Sequence, residues 1–219
     1  LPARELLLTL HLVSETKMKQ QVFYIHGGES YENYDIFLER LRTKDIWDLP
    51  SENPTSKWTQ SFAAELRPGY EVFMPAMPNK QNAKYEEWKI WFERHFEHLR
   101  DNVILIGLSL GAMFLVKYLS ETKTPFQIKA LYLMGCPVDD PGFKDEDCGT
   151  FRYSLDSSSV LSRRAGKVFI LHSKDDFLVP YEHAVKLNQA IPGSELVTFE
   201  DKNHFLIEEF PELIAHIKA

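Results

Sequence analysis

Short apolar runs alternate along the chain with segments whose apolar side chains recur every three or four residues. Such runs are typical of buried strands, and the three-to-four spacing is typical of amphipathic helices. The runs predict six strands, over residues 21–25, 71–74, 103–106, 128–134, 168–171 and 195–199. The spacing predicts six helices. Three cover residues 31–42, 57–66 and 82–99, a fourth runs from just after Gly107 to about residue 119, and the last two cover about residues 181–191 and 210–218.

The alternation of strands and helices predicts the fold class. It favours an α/β fold, in which helices cover both faces of a mostly parallel sheet. The run Val103-Ile104-Leu105-Ile106 is apolar at every position, as expected of a strand that is buried on both faces. In such sheets ligands bind at the carboxyl ends of the strands. We therefore expect the chemistry to lie just after each predicted strand.

The 219 residues divide most simply into a short amino-terminal segment and one α/β domain over residues 18–219. Residues 1–17 either are a remnant of upstream sequence, with Met18 as the natural start, or form an extra edge strand, because leucines alternate with other residues there. A signal peptide is poorly supported, because no small-residue cleavage site follows the apolar stretch. Residues 43–57 and 136–165 contain many turn-forming residues and are expected to be surface loops.

Composition and charge exclude several classes of function. Lys and Arg total 25 against 32 Asp and Glu, and a mildly acidic chain of net charge -7 is a poor candidate for binding phosphate backbones. Two cysteines, Cys136 and Cys148, exclude a disulfide-dense scaffold and a Cys-rich zinc module, and we expect free thiols in a cytoplasmic protein. No apolar run approaches the ~20 residues of a membrane span. The expected partner is a small molecule, not nucleic acid or a membrane.

A candidate nucleophile follows the third predicted strand. Gly107-Leu108-Ser109-Leu110-Gly111 has the pattern G-x-S-x-G and stands between a strand and a helix. A serine on this strained turn projects its hydroxyl above the edge of the sheet, and the glycines let neighbouring backbone pass closely. The N–H of Leu110 then lies at a helix amino terminus, where it can stabilise negative charge. The alternative is a serine that only caps the helix.

An activated serine needs a general base, and the base needs an acid that orients it. His204 follows the sixth predicted strand and comes after the nucleophile in the chain, as expected for the base. Asp175 and Asp176 follow the fifth strand, and the sequence rules alone do not choose between them. Asp139 and Asp140, after the fourth strand, are a further possibility for the acid.

A glycine pair follows the first predicted strand, in His26-Gly27-Gly28. Glycines there allow backbone N–H groups to approach a ligand oxygen. The N–H of Gly28 or Glu29 is expected to complement Leu110 in an oxyanion hole, with the Glu29 side chain directed to solvent. The alternative is a tight turn without a role in binding. His26 is expected to be structural.

Together these motifs resemble the α/β-hydrolase family over about residues 20–219, and in particular its small, lidless serine hydrolases of the retinoblastoma-binding-protein group. In that family the acid commonly stands three residues before a Val-Pro pair. Asp176 has that spacing, so the resemblance favours it over Asp175. It also implies a three-layer fold with strand order 2-1-3-4-5-6. Leu108 and Asn203 depart from the family, in which His and Gly are common at these positions.

The resemblance implies a serine carboxylic ester hydrolase that works through Ser109, Asp176 and His204 and needs no metal or organic cofactor. Residues 136–165 are too few for a multi-helix lid, which favours small or short-chain acyl esters. Thioesters, amides and peptides use the same groups, and an interaction protein with little turnover is the alternative from another class. Five aromatic residues are candidates for an acyl pocket or for ordinary packing: Trp47, Trp58, Phe143, Phe151 and Tyr153.

Overall fold

The six strands all pair in parallel in one sheet. The structure is a computed structural model that describes residues 18–46, 57–138 and 148–219. Their order across the sheet is 2-1-3-4-5-6, which confirms the order implied by the resemblance. Every predicted strand is present within a few residues of its expected bounds. The strands are β1 Gln20–Ile25, β2 Tyr70–Phe73, β3 Val103–Leu108, β4 Ile128–Met134, β5 Ala165–Ser173 and β6 Glu195–Phe199.

Six α-helices are present among the described residues, and five of them cover the two faces of the sheet, as predicted. One face packs on α3, α4 and α5 and the other on α2 and α6, so that the fold has three layers. The apolar stripes of these five helices and the alternating side chains of the strands form the two cores, whereas α1 has no buried residue. The helices are α1 Tyr34–Thr43, α2 Trp58–Glu65, α3 Tyr85–Arg94, α4 Leu110–Glu121, α5 Tyr181–Ala190 and α6 Pro211–Lys218.

The structure differs from the sequence predictions at a few boundaries. The third helix is shorter than predicted because the N–H of Tyr85 donates to Thr150 Oγ1 (2.9 Å) at its start, and a 3₁₀ turn over Phe96–His98 follows its end. Within the described part of the stretch between β4 and β5, two 3₁₀ helices replace the expected irregular loop, and no multi-helix lid is present. Residues 1–17, and with them the possible extra edge strand, lie outside the described residues.

The parallel register brings five loops to one edge of the sheet. Ile25 pairs with Gly107 and Leu108 pairs with Met134, so that β1, β3 and β4 end side by side. Met134 pairs in turn with Leu171, and Ser173 with Phe199. Each predicted site motif follows one of these strand ends. No helix among the described residues is both long and apolar enough to cross a membrane.

Candidate active site

Ser109 forms a sharp turn between β3 and α4. Its backbone has φ 55° and ψ -121°, a combination that L-residues adopt rarely and that is typical of a strained strand-to-helix turn. The turn is held on both sides, because the Ser109 N–H donates to the Met134 carbonyl (2.8 Å) and the Ser109 carbonyl accepts from Ala112 and Met113 (2.9 and 3.0 Å). The Ser109 side chain makes no capping hydrogen bond, so the interpretation as a mere helix cap is wrong.

The loop after β1 packs directly against this turn. A Cβ on Gly111 would lie only 2.6 Å from the His26 carbonyl oxygen, so α4 can approach the end of β1 only because this residue is glycine. A Cβ on Gly27 would lie 3.1 Å from the Ser109 Cβ and 3.7 Å from its Oγ. The sequence motif His26-Gly27-Gly28 therefore borders the candidate nucleophile.

Two backbone N–H groups beside Ser109 are available to a ligand. In the described part of the chain, no hydrogen bond uses the N–H of Leu110 or of Gly28. A Cβ on Gly28 would lie 3.5 Å from Leu110 Cδ2, so the two residues are neighbours. Free donors at a helix amino terminus are suited to an anionic oxygen.

Glu29 differs from the sequence prediction in two respects. Its N–H donates to the Lys80 carbonyl (2.8 Å), so it is already satisfied, and Gly28 is the better of the two candidates for an oxyanion donor. Its side chain is half-buried and not directed to solvent, because it accepts from the Tyr31 hydroxyl (2.7 Å) and forms an ion pair with Lys44. The ion pair with Lys44 neutralises the carboxylate.

His26 holds this loop in place. Its Nε2 accepts from the Met77 N–H (2.8 Å), so Nδ1 carries the hydrogen and donates to the Gly27 carbonyl (2.6 Å). Burial lowers the pKa of His26, which keeps the ring neutral, and the two hydrogen bonds select this tautomer. Both ring nitrogens make hydrogen bonds to the backbone, in agreement with the predicted structural role.

Asp176 and His204 form a buried hydrogen-bonded pair. Asp176 Oδ2 lies 2.7 Å from His204 Nδ1, and the two side chains are 0% and 5% exposed. The other carboxylate oxygen, Oδ1, accepts from the N–H groups of Leu178 and Val179, both at 2.9 Å. A carboxylate can only accept here, so Nδ1 of His204 carries the hydrogen and Nε2 is left for another partner. The structure thus brings together the acid and the base that the resemblance favours.

Asp175 has a different environment from its neighbour. Its carboxylate accepts from the Ser173 hydroxyl (2.5 Å) and from the Asn203 N–H (2.9 Å), and the Ser173 hydrogen bond lowers its pKa. Ser173 Oγ in turn accepts from the Lys202 N–H (2.9 Å). Asp175 therefore ties the end of β5 to the loop that carries His204. Asp139 and Asp140, the other candidates for the acid, lie outside the described residues.

A second histidine, His172, lies beside Asp176. It is fully buried at the end of β5, and its Nε2–H donates to the Val179 carbonyl (2.9 Å) while lying 3.4 Å from Asp176 Oδ2. Burial lowers the pKa of His172, so the ring is neutral and adds a dipole, not a charge, beside the carboxylate.

Trp58, one of the candidates for an acyl pocket, anchors the loop that carries His204. Phe205 has a φ of 57°, and its carbonyl accepts from the Trp58 indole N–H (3.0 Å), while the Trp58 backbone N–H donates to Ile207 (3.1 Å). Trp58 is buried, as are Phe151 and Tyr153, so these three aromatic residues are core packing. The other two aromatic candidates, Trp47 and Phe143, lie outside the described residues.

The end of β4 lies between the serine and the histidine. Ser109 hydrogen-bonds to Met134, and the next residue, Gly135, is so close to the ring that a Cβ on it would lie 3.0 Å from His204 Cε1. Within the described residues the Ser109 hydroxyl makes no hydrogen bond. Catalytic hydrogen bonds are often long in an unliganded enzyme and tighten when substrate binds.

Comparison with known proteins identifies relatives along most of the chain. A family model described as serine hydrolase matches residues 51–213, which include Ser109, Asp176 and His204. Serine hydrolase RBBP9 of Rattus norvegicus is 26% identical over 162 residues, 74% of this chain and 83% of that protein. The ydeN gene product of Bacillus subtilis is 23% identical over 193 residues, 88% of this chain and 89% of that protein.

Solved structures share the fold. The crystal structure of the B. subtilis ydeN gene product has a TM-score of 0.65 at 18% identity, covering 91% of this chain and 97% of that one. A thioesterase domain from the curacin biosynthetic pathway has a TM-score of 0.59 at 13% identity, covering 92% of each chain. These likenesses confirm the α/β-hydrolase fold.

Proposed function

The chain belongs to the serine hydrolase family, and we propose that it cleaves carboxylic esters by forming a covalent acyl-enzyme on Ser109. The observation that carries the proposal is the buried 2.7 Å hydrogen bond between Asp176 and His204, at the same sheet edge as the strained turn of Ser109. A base that is oriented by a buried acid, at the same sheet edge as a partly exposed serine on such a turn, is the arrangement that activates a serine.

The first half-reaction acylates the serine. The Ser109 hydroxyl attacks the ester carbonyl carbon, and its proton passes to His204 Nε2, the ring nitrogen that Asp176 leaves free. The N–H groups of Leu110 and Gly28 stabilise the oxyanion that forms. His204 then gives the proton to the alcohol oxygen as the carbon–oxygen bond breaks. Asp176 holds the ring in the required tautomer and stabilises the imidazolium.

The second half-reaction releases the acid. Water attacks the acyl carbon while His204 Nε2 takes one of its protons, and the same two N–H groups stabilise the second oxyanion. The proton then returns to Ser109 Oγ as the acyl bond breaks. The free carboxylic acid and the original serine are the products.

We also propose that the acyl group is small. The described part of the stretch between β4 and β5 consists of two 3₁₀ helices that pack into the core through Phe151 and Leu161, both fully buried. Small-molecule esters are accordingly the proposed substrates. A cytoplasmic location is proposed as well, in which the buried free thiol of Cys136 stays reduced.

The substrate class is tested by comparing p-nitrophenyl acetate, an acetyl thioester and p-nitroacetanilide under the same conditions, with Ser109→Ala as the background. We expect the oxygen ester to have the highest kcat/KM of the three. A folded wild type that hydrolyses none of them faster than Ser109→Ala would support the interaction-protein alternative. A higher kcat/KM for the thioester or the anilide would overturn the ester assignment.

Gly135→Ala should lower kcat by up to about 100-fold, which is the cost of misplacing a catalytic group by about 1 Å. Gly135 has a φ of +52°, and the added Cβ would lie 3.0 Å from Cε1 and 3.2 Å from Nδ1 of His204. Gly193→Ala is the matched control, since Gly193 has a φ of +78° and no atom lies within 4 Å of its Cβ position. Both variants carry backbone strain, but only the first displaces His204. Equal losses of kcat in the two folded variants would contradict this role of Gly135.

A further inference from the structure

Three large apolar side chains are exposed beside the proposed acid and base. Phe177 and Leu178 directly follow Asp176 and are 62% and 53% exposed. Leu206, two residues after His204, is 54% exposed. Because Asp176 and His204 are hydrogen-bonded to each other, the two loops that carry these three residues meet at the sheet edge. We call Phe177, Leu178 and Leu206 the apolar rim.

The exposure of the rim is imposed by the backbone around the site. The Leu178 N–H donates to Asp176 Oδ1 and the Leu206 N–H donates to Asn203 Oδ1, both at 2.9 Å. The residues that follow Leu178 and precede Leu206, Val179 and Phe205, are buried. The hydrogen bonds that hold the catalytic carboxylate and the His204 loop therefore also keep the rim side chains at the surface. An apolar cluster in such a place is suited to an apolar ligand.

The order of the strands decides which part of the substrate meets the rim. Ser109 follows β3, and the Gly28 N–H follows β1 on one side of β3. The rim follows β5 and β6, which lie on the other side of β3, beyond β4. The carbonyl oxygen of the ester faces the β1 side, where the oxyanion donors are. His204 must deliver its proton to the alcohol oxygen, so the alcohol lies at His204, on the side of the rim.

From this arrangement we propose that the apolar rim binds the alcohol portion of the ester, and that substrates are small acyl esters of apolar alcohols. The proposal rests on the proposed esterase function. In the step concerned, the bond between the acyl carbon and the alcohol oxygen breaks, the electron pair goes to that oxygen, and the proton from His204 Nε2 completes the alcohol. Apolar contacts that hold the alcohol in place raise the rate of acylation. Deacylation, which occurs after the alcohol has left, does not use the rim.

Two ester series separate the alcohol side from the acyl side. The alcohol series runs from methyl to butyl acetate, and the acyl series runs from methyl acetate to methyl pentanoate. Straight-chain alcohols differ little in acidity, so the ratio of kcat/KM within the alcohol series reports binding. For the wild type we expect about a 2-fold rise per methylene, or about 8-fold across the alcohol series, because a partly covered methylene contributes about half of a buried one.

The test variant is Phe177→Ser, Leu178→Ser and Leu206→Ser combined, and the matched control is Ile90→Ser on α3. Ile90 is 60% exposed, so its replacement removes one exposed apolar side chain outside the site. We expect the butyl-to-methyl ratio to fall below about 2 in the triple variant and to stay near the wild-type value in the control. The ratio across the acyl series should be the same in all three proteins. Thermal unfolding verifies that each is folded.

Other results would overturn the proposal. A triple variant that loses the dependence on acyl length would place the acyl chain on the rim. Unchanged ratios, together with an altered oligomeric state in size-exclusion chromatography, would show that a second copy covers the rim. If the wild type hydrolyses no ester at all, the proposed function itself is overturned. That result differs from failure of the rim proposal alone, in which the wild type hydrolyses esters but the ratios do not change as expected.

Discussion

Replacing Ser109 by alanine should reduce kcat for ester hydrolysis by about 10⁶-fold, because the nucleophile and its base act as a unit and loss of either removes the covalent route. The residual rate would come from the oxyanion donors and from substrate binding alone. The measurement is single-turnover hydrolysis of p-nitrophenyl acetate by purified, folded protein. Alanine removes only one oxygen from a residue that is partly exposed, so the fold should be retained.

Ser120→Ala is the matched control for this experiment. Ser120 lies on α4, the helix that begins directly after Ser109, and its hydroxyl donates only to the Val116 carbonyl (2.7 Å). This variant should keep wild-type turnover. A folded Ser109→Ala protein that retained more than a few per cent of the wild-type rate would contradict the assignment of the nucleophile.

Replacing Asp176 by asparagine should lower kcat by about 10⁴-fold with little change in fold. Asparagine has nearly the same size, but its amide does not stabilise the imidazolium of His204 and favours the wrong ring tautomer. Two backbone N–H groups and His204 Nδ1 now converge on this carboxylate at 2.7 to 2.9 Å. The measurement is kcat for p-nitrophenyl acetate, with circular dichroism to compare the folds.

Asp175→Asn provides the paired comparison. Asp175 accepts from Ser173 and Asn203 and does not contact His204 directly, so its loss should loosen the loop and lower kcat by about 10-fold or less. Equal losses in the two variants, or a larger loss for Asp175→Asn, would show that the acid has been assigned wrongly.

The fold was predictable because its strands are short, largely apolar runs that end in glycine, proline or polar residues. β3, for example, is apolar at each position from Val103 to Ile106 and is buried on both faces. Parallel strands joined by helices fix which ends of the strands meet. The position of the motifs could therefore be inferred without knowledge of any side-chain contact.

The choice between Asp175 and Asp176 depended on the spacing seen in the family. Local rules cannot separate two adjacent acids after one strand. What separates them is the turn that follows, in which the N–H groups of Leu178 and Val179 meet Asp176 Oδ1. The Val-Pro pair indicates this turn in the sequence, because Pro180 directly precedes α5 and so fixes where the turn ends.

Contacts between distant parts of the chain were not predictable. The N–H of Glu29 is occupied by Lys80, and the His204 loop is held by Trp58, each a pairing set by the packing of separate elements. Nothing in the residues around position 29 or 204 indicates such a partner. Gly135 is different, since a glycine directly after a strand is a signal for a special backbone conformation or a close approach.

Labelling with a fluorophosphonate probe is the measurement that tests the central claim most directly. The probe phosphonylates a serine only when a base activates its hydroxyl and an oxyanion hole receives its oxygen. Wild type should be labelled stoichiometrically, with the adduct on the peptide that contains Ser109, and Ser109→Ala should not be labelled. Absence of labelling in folded wild type, or an adduct on another residue, would contradict the account of this protein as a serine hydrolase acting through Ser109, His204 and Asp176.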